Sequence, residues 1–368
     1  MKKKKLFILQ PRIQHYRVPV FDLLKEKLKS NYILNVYGQT KNGKAFNGEN
    51  KKYFINEKYL NFFGVEFWPF IIFKIIIKRP HTILSTISPR NLVSWFLPFI
   101  CNIFNIKLIG WTKVNSDKVD NIGFKRLLKK KLYSKYKYLI LYGKRSLKEL
   151  KSLELKGFKF TVANNTIDTN YIQYNMHEIL NNCQLIRKKF NISLGDKIYL
   201  VIGRIIHQKR QNDILQAWQN SKLRNTKAKL FFVGNGPLFN ELKMKKEMSL
   251  NNVYFIGSVP HKFDYAWLKI ANFSIFGGAI GLACQQAMAL NTFVIACNEK
   301  GVDAEILVNN KNCLLFKKGN IDQLSSILNR VNKSSYFYKK IIHKAKKDIF
   351  EHYSIDNMVS KIYNMIIT

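Results

Sequence analysis

Strand-like and helix-like segments alternate along this chain, and the alternation stops once. Short runs rich in Ile, Val and Phe have the length of buried strands, and the longer runs between them have helical apolar spacing. Alternation of this kind builds right-handed βαβ units and a parallel sheet, so we expect an α/β protein. The predicted strands are residues 6–9, 32–37, 82–86, 107–110, 138–142 and 160–163, then 197–203, 229–233, 253–257, 273–276, 293–297 and 313–316.

The interruption, residues 166–192, is polar and has no strand pattern, so we interpret it as a linker between two sheets. A length of 368 residues suits two domains of about 150 residues each. The tail, residues 336–368, has a helical pattern throughout and belongs to no βα unit. We therefore expect an N-terminal domain at 1–170, completed by about 350–368, and a C-terminal domain at 190–350.

The five cysteines are odd in number, form no CxxC pair and mostly lie in apolar runs. This pattern favours buried free thiols over disulfides or a zinc site. The longest apolar stretches, 67–77 and 92–109, are interrupted by polar residues and proline, whereas a membrane-spanning helix needs about 20 apolar residues. The basic N-terminus is followed by too short an apolar run for a signal peptide. We therefore expect a cytoplasmic protein without a transmembrane segment.

The chain is strongly basic, with 62 Lys and Arg against 23 Asp and Glu, for a formal net charge of +39. A charge of this size suits an anionic partner. Residues 125–139 mix leucines with clustered lysines and, with the aromatic run 67–73, favour a surface that binds an anionic membrane. The alternatives are a solvated surface, partly a product of AT-rich codons, and a protein that binds soluble polyanions. Because no zinc finger, helix-turn-helix or ribonucleoprotein motif is present, no nucleic-acid partner is expected.

Glycine turns follow two predicted strands of the C-terminal half. Gly203 and Arg204 end one strand, and Lys209 precedes the next helix. Gly278 ends another strand, and Gly281 precedes a helix whose free N–H groups can bind an anion or a sugar hydroxyl. Ligands bind at the carboxyl ends of parallel strands, where two cations would neutralise a diphosphate. The alternative is an ordinary strand end in a basic chain.

The order of these segments resembles the nucleotide-sugar-binding half of retaining GT-B glycosyltransferases, and most closely family four. The resemblance covers about residues 197–328. The matching residues are Gly203-Arg204 with Lys209, Gly234-Asn235-Gly236-Pro237, Val253–Gly257, Gly281-Leu282, Ala287-Met288-Ala289, Gly301 with Glu305-Ile306, and Asn312-Cys313-Leu314-Leu315.

The resemblance implies two Rossmann-like domains that face a cleft, with the C-terminal helix packing back on the N-terminal domain. It implies a hexosyl- or deoxyhexosyltransferase that moves a sugar, with retention, from a nucleotide-sugar to a glycolipid or growing polysaccharide of the lipopolysaccharide O-antigen or capsule type. Such an enzyme would lie peripherally on the inner face of the plasma membrane. Because the chain has no D-x-D motif, neither a metal nor a cofactor is expected.

The resemblance also assigns roles to residues. The residues on the catalytic side would be Arg204, Lys209 and Lys113. The residues that would hold the donor are Gly203, Gly278, Gly281, Leu282, Gln286 and Glu305, and those on the acceptor side are His15, Tyr16 and Arg17.

Two positions depart from the family pattern. Gly278 and Gln286 occupy the positions of the family's two glutamates, which contact the donor sugar and the ribose. The amide at 286 can still donate and accept hydrogen bonds, whereas Gly278 leaves a gap. An active variant is favoured, and the alternative is a catalytically inactive GT-B partner subunit.

The N-terminal half resembles the acceptor domain more weakly. His15, Tyr16 and Arg17 resemble the opening loop of related transferases, with capping and covering of the first helix as an equal alternative. Lys113 aligns where relatives often carry a histidine near the donor sugar. Asn165 and Asp168 resemble the segment that closes the two domains, and plain turn chemistry is the favoured alternative there.

Overall fold

The computed structural model describes residues 3–40, 51–114, 123–247, 250–332 and 336–368. The chain divides into two compact units. The N-terminal unit comprises Met1–Asn165 and Ile355–Thr368, and the C-terminal unit comprises Thr166–Ser354.

The N-terminal unit is built on a seven-stranded parallel sheet. Its strands are β1 (Lys4–Arg12), β2 (Tyr32–Gln39), β3 (Phe54–Asn56), β6 (Thr82–Thr86), β7 (Lys107–Thr112), β8 (Tyr138–Leu141) and β9 (Lys159–Val162), and an antiparallel hairpin is formed by β4 (Leu60–Phe62) and β5 (Val65–Phe67). Its helices are α1 (Val18–Leu28), α2 (Ile71–Lys78), α3 (Leu92–Ile103), α4 (Phe124–Tyr133), α5 (Lys144–Ser152) and, from the end of the chain, α14 (Ile355–Ile367). The strand order is β3-β2-β1-β6-β7-β8-β9.

Alternate residues of these strands feed two cores, one on each face of the sheet. Leu6 and Ile8 pack with α1 and α14 on one face, whereas Phe7 and Leu9 pack with α2, α3 and α4 on the other. Because both faces are covered, the strands are nearly continuous apolar runs, as expected of a parallel sheet.

The C-terminal unit contains a six-stranded parallel sheet of order β12-β11-β10-β13-β14-β15. Its strands are β10 (Ile198–Ile202), β11 (Lys229–Val233), β12 (Val253–Gly257), β13 (Phe273–Phe276), β14 (Phe293–Cys297) and β15 (Leu314–Phe316). Its helices are α6 (Thr169–Tyr174), α7 (Met176–Lys189), α8 (Gln211–Asn220), α9 (Phe239–Glu247), α10 (His261–Ile270), α11 (Leu282–Ala289), α12 (Ile321–Val331) and α13 (Tyr336–His352). The order reverses between β10 and β13, which is the point where doubly wound sheets bind ligands.

Each of the twelve predicted strands coincides with a strand of the structure, and the α/β prediction is confirmed. Residues 166–192 differ from the expected linker because they form α6 and α7. Ile179, Cys183 and Ile186 recur at helical spacing and are buried in the core of the C-terminal unit, while the polar residues of α7 face outward.

The tail is two helices rather than one. The break lies between α13 and α14, where the carbonyl of Tyr353 accepts a hydrogen bond from the hydroxyl of Thr166. The last helix, α14, packs on α1 within the N-terminal unit, as the resemblance implied.

All five cysteines are buried free thiols, as predicted. Among the residues that the structure describes, no helix is long and apolar enough to cross a membrane.

Candidate active site

The loops after β10 and β13 touch each other at the carboxyl edge of the C-terminal sheet. Gly203 ends β10 with a φ of 124°, a backbone conformation that favours glycine. The loop continues through Arg204 to Lys209, where a short 3₁₀ turn, His207–Lys209, brings it against the loop that precedes α11. The amide N–H of Ala279 donates to the carbonyl of Gln208 at 2.7 Å, which joins the two loops.

Lys209 lies at the beginning of α11. Its Nζ donates to the carbonyl of Ala279 at 2.5 Å and lies 3.4 Å from where a Cβ on Gly281, the N-cap, would stand. Burial lowers the pKa of Lys209, and the thiol of Cys284 and the carboxylate of Asp303 oppose that shift. A partly desolvated ammonium beside a helix N-terminus, with its unpaired N–H groups, is suited to bind an anion.

Gly278 lies where the two loops leave no room for a side chain. A Cβ at this position would lie 2.1 Å from the carbonyl oxygen of Gln208 and 2.8 Å from the carbonyl carbon of Lys209. The expectation of a gap at Gly278 is therefore wrong, because backbone atoms of the Gln208–Lys209 turn fill the space into which a side chain would project. The resemblance implied that a glutamate is missing here, but the sequence alone cannot show that a neighbouring loop occupies this space.

Arg204 lies in the same loop as Lys209, but its side chain points away from the protein. Its side chain is exposed, while its carbonyl accepts a hydrogen bond of 2.9 Å from the amide of the buried Gln211 in α8. The backbone is thus tied to the core and the guanidinium faces solvent, where it is accessible to a ligand.

Gln286 is the fifth residue of α11 and is half-buried. Its side chain hydrogen-bonds the hydroxyl of Tyr265 in α10, and burial raises the pKa of that tyrosine. An amide has several donor and acceptor positions, so this bond leaves it with capacity for a ribose hydroxyl. Leu282, one turn earlier, is the first residue of the same helix.

Glu305 follows a 3₁₀ turn, Val302–Ala304, and is half-buried. Burial and, second, the charge of Glu305 raise the pKa of Tyr353 to about 12, so the carboxylate lies near that hydroxyl. Sequence reasoning missed Asp303, which acts electrostatically on Lys209. The available signal was its position between Gly301 and Glu305 in a segment that already matched the family.

In the N-terminal unit, Arg17 is buried at 6% exposure. Its guanidinium lies 4.6 Å from the ring centre of Trp111 and 5.0 Å from that of Tyr142, and it contacts the Sδ of Met358 at 3.9 Å. These contacts favour the alternative in which Arg17 packs against the fold, because cation–π and thioether contacts enclose the whole side chain.

The other N-terminal candidates lie near the surface. Tyr16 is exposed, with its ring edge-on to that of His15, and Lys113 is an exposed residue directly after β7. Asp168 caps α6 by accepting from the amide of Tyr171 at 3.0 Å, which is the turn chemistry of the favoured alternative. The amide of Asn165 donates to the carbonyl of Tyr142 at 3.1 Å, within the N-terminal unit.

Known proteins share this architecture. Residues 182–348 match the family model described as Glycosyl transferases group 1. An uncharacterized glycosyltransferase of Methanocaldococcus jannaschii is 26% identical over 260 residues, or 65% of this chain and 63% of that protein. An alpha-monoglucosyldiacylglycerol synthase of Streptococcus pneumoniae is 29% identical over 120 residues, or 31% of this chain and 27% of that protein. The crystal structure of Anabaena HepE in complex with UDP superposes with a TM-score of 0.74 at 11% identity, over 99% of both chains.

The two parallel-sheet units and the superposition over the whole chain define a GT-B fold. The match of residues 182–348 to the Glycosyl transferases group 1 family model agrees with the order of the motifs in the sequence. The chain spans less than two thirds of the length of the curated relatives that it matches.

Proposed function

We propose that this chain transfers a hexosyl or deoxyhexosyl group from a nucleotide-sugar donor to an acceptor. The observation that carries the proposal is the placement of Lys209, whose half-buried amine lies at the beginning of α11 on the carboxyl edge of the sheet. A diphosphate would meet a cation and unpaired N–H groups there at once. The UDP in the HepE crystal structure supports nucleotides of this class as the first probes.

In the proposed reaction, the bond between the anomeric carbon and the diphosphate oxygen breaks, and negative charge develops on the leaving group. Lys209 and the amides at the N-terminus of α11 would stabilise that charge, and the exposed Arg204 would supply a second cation. Attack by an acceptor hydroxyl from the face that the diphosphate leaves, with its proton passing to the departing diphosphate oxygen, would retain the anomeric configuration. The proposed donor site uses these side chains and amides in place of a metal ion.

We further propose a lipid-linked or growing polysaccharide acceptor, of the lipopolysaccharide O-antigen or capsule type, at the cytoplasmic face of the membrane. The net charge of +39 supports an anionic surface as the place of work. The diacylglycerol named in the Streptococcus pneumoniae relative supports a lipid acceptor.

The second candidate is a GT-B partner subunit without activity of its own. It is favoured by Gly278, which has neither a carboxylate nor room for one, and by the engagement of Gln286 with Tyr265. A polyanion-binding protein is the third reading, supported only by the basic composition.

Calorimetry with UDP and UDP-sugars, together with sugar-transfer assays, tests the proposal. Arg204→Ala and Lys209→Ala should each weaken binding and transfer about tenfold to hundredfold, because each removes a charge-assisted contact. Lys243→Ala, an exposed lysine in α9, is the matched control and should behave as wild type. Wild-type turnover in both test variants would refute the diphosphate role. Donor binding without hydrolysis or transfer would favour the inactive subunit, and salt-sensitive binding of polyanions without nucleotide binding would favour the third reading.

A further inference from the structure

One helical layer of the N-terminal unit exposes its apolar side to solvent. In α3, Leu92, Phe96, Phe99 and Ile103 recur at helical spacing and are 39%, 55%, 68% and 57% exposed. The opposite side of α3 is buried against the sheet, so the helix is mainly apolar on both its exposed and its buried side. A helix that covers a sheet in water normally has a polar outer side, and an all-apolar helix is normally covered.

The elements beside α3 continue this surface. Helix α2 exposes Phe73 and Ile77, the β4–β5 hairpin ends in the fully exposed Phe63, and α4 exposes Phe124 and Leu127. We call the exposed apolar residues of these four elements the apolar face.

Direct contacts hold these elements side by side. Both α2 and β5 pack against α3, and the amide of Glu66 in β5 donates to the carbonyl of Arg90, just before α3, at 2.7 Å. On the other side, the hydroxyl of Tyr136, which follows α4, donates to the carbonyl of Ser94 in α3 at 2.7 Å. The elements that carry the apolar face are therefore neighbours, and their exposed phenylalanines outnumber the scattered apolar residues normal for the surface of a soluble protein.

The three helices of the apolar face carry charges of one sign, and the acidic residue of the hairpin, Glu66, is half-buried. Helices α2, α3 and α4 contain no Asp or Glu, and α4 carries five Lys and Arg between residues 125 and 131. Phe124 and Leu127 share α4 with these cations. Apolar side chains beside a basic cluster are the pattern of elements that lie in a membrane interface.

We propose that the apolar face inserts into the headgroup region of an anionic lipid bilayer, with its phenylalanines at the acyl boundary and the cations of α4 on lipid phosphates. The inference deepens the proposed function, since it rests on a membrane-linked acceptor for its purpose. A second copy of the chain fits less well, because pairing two such faces brings two basic clusters together, whereas an anionic leaflet neutralises them. Insertion also makes part of the binding independent of salt, unlike adsorption by charge alone.

Vesicle sedimentation with the full chain tests the insertion. Phe96→Ser with Phe99→Ser should lower partitioning into phosphatidylcholine–phosphatidylglycerol vesicles at least about tenfold, since two large apolar side chains are lost from the lipid contact. The matched control is Leu185→Ser with Leu194→Ser, two residues of the C-terminal unit that are 58% and 89% exposed, and it should bind as wild type. Equal loss in both pairs, or no loss in the first, overturns the proposal.

A charge variant tests whether the cations of α4 contact lipid phosphates. Lys125→Gln, Lys129→Gln and Lys131→Gln together should weaken binding to anionic vesicles severalfold and leave the salt-resistant fraction in place. Substitution of Lys339 and Lys340, exposed on α13, is its control. If 1 M salt releases all of the protein, apolar insertion is refuted.

Intrinsic fluorescence needs no substitution and guards against a misfolded variant. Trp95 in α3 is half-buried, whereas the other four tryptophans are at most 1% exposed, so lipids brominated on the acyl chain should quench chiefly Trp95. Absence of quenching in vesicle-bound protein refutes insertion. Insertion is also refuted if the wild-type protein is a dimer and the double variant Phe96→Ser with Phe99→Ser is a monomer. Nucleotide binding is measured separately, without vesicles. If the protein binds vesicles but no nucleotide, only the proposed function is refuted. If it binds nucleotide but no vesicles, only the insertion of the apolar face is refuted.

Discussion

Adding a single methyl group at Gly278 should disturb the loops at the carboxyl edge of the C-terminal sheet. A Cβ there would lie 2.1 Å from the carbonyl oxygen of Gln208, whereas ordinary contacts begin near 3.4 Å. The backbone of the Gln208–Lys209 turn must therefore retreat by more than ~1 Å, and no flexible side-chain end is available to give way.

Overpacking of this kind costs about 1–3 kcal/mol. For a unit of this size, 1 kcal/mol shifts Tm by about 2–4 °C, so Gly278→Ala should lower Tm by about 2–12 °C. The same displacement moves Lys209 away from α11, and UDP affinity should fall with stability. Gly278→Glu, which introduces the residue that the resemblance implied for this position, should lower stability and UDP affinity at least as much.

The assay is thermal unfolding together with calorimetric titration of UDP. Gly195→Ala is the matched control, because a Cβ at Gly195 meets nothing within 4 Å and its φ is not positive. The reasoning is refuted if Gly278→Ala unfolds at the wild-type temperature, or if Gly278→Glu raises the transfer rate.

Two further substitutions in the C-terminal unit test other contacts. Gln286→Ala should weaken donor binding by about 0.5–1.5 kcal/mol, which is the contribution of a neutral hydrogen bond. Gln286→Glu should be tolerated, because a carboxylate can accept a hydrogen bond from the hydroxyl of Tyr265. If calorimetry gives wild-type affinity for the alanine variant, Gln286 is a packing residue only. Burial raises the pKa of Asp264 to about 7, so the folded state holds its proton more tightly and loses stability as pH rises from about 4 to 7. Asp264→Asn should therefore stabilise the chain more at pH 8 than at pH 5, and urea unfolding that gives the same difference at both pH values would contradict that assignment.

The sequence by itself determined twelve of the thirteen strands of the two sheets and missed only the short β3 at the edge of the N-terminal sheet. Each strand is a local run of apolar residues between helical segments, and the period of such a run is a property of the run alone. The order of Gly203, Lys209 and Gly281 likewise predicted that their loops meet at one edge of the sheet, because parallel strands bring their carboxyl ends together whatever the details of packing.

Residues 166–192 were harder to interpret, because their apolar residues are scattered singly or in pairs and form no strand-like run. A helix needs only one apolar stripe when the rest of it faces water, and Ile179 and Ile186 supply that stripe in a segment that is polar on average. Average polarity therefore suggested a linker where tertiary packing makes a helix.

Only the tertiary structure decided what surrounds each candidate residue. It placed Arg17 against Trp111 and Tyr142, filled the space beside Gly278 with the Gln208–Lys209 turn, and left the phenylalanines of α3 uncovered. These outcomes depend on contacts between segments far apart in the chain. Helical periodicity shows on which side of a helix a residue lies. Which other segment covers that side is decided only when the sheet and its helices pack together.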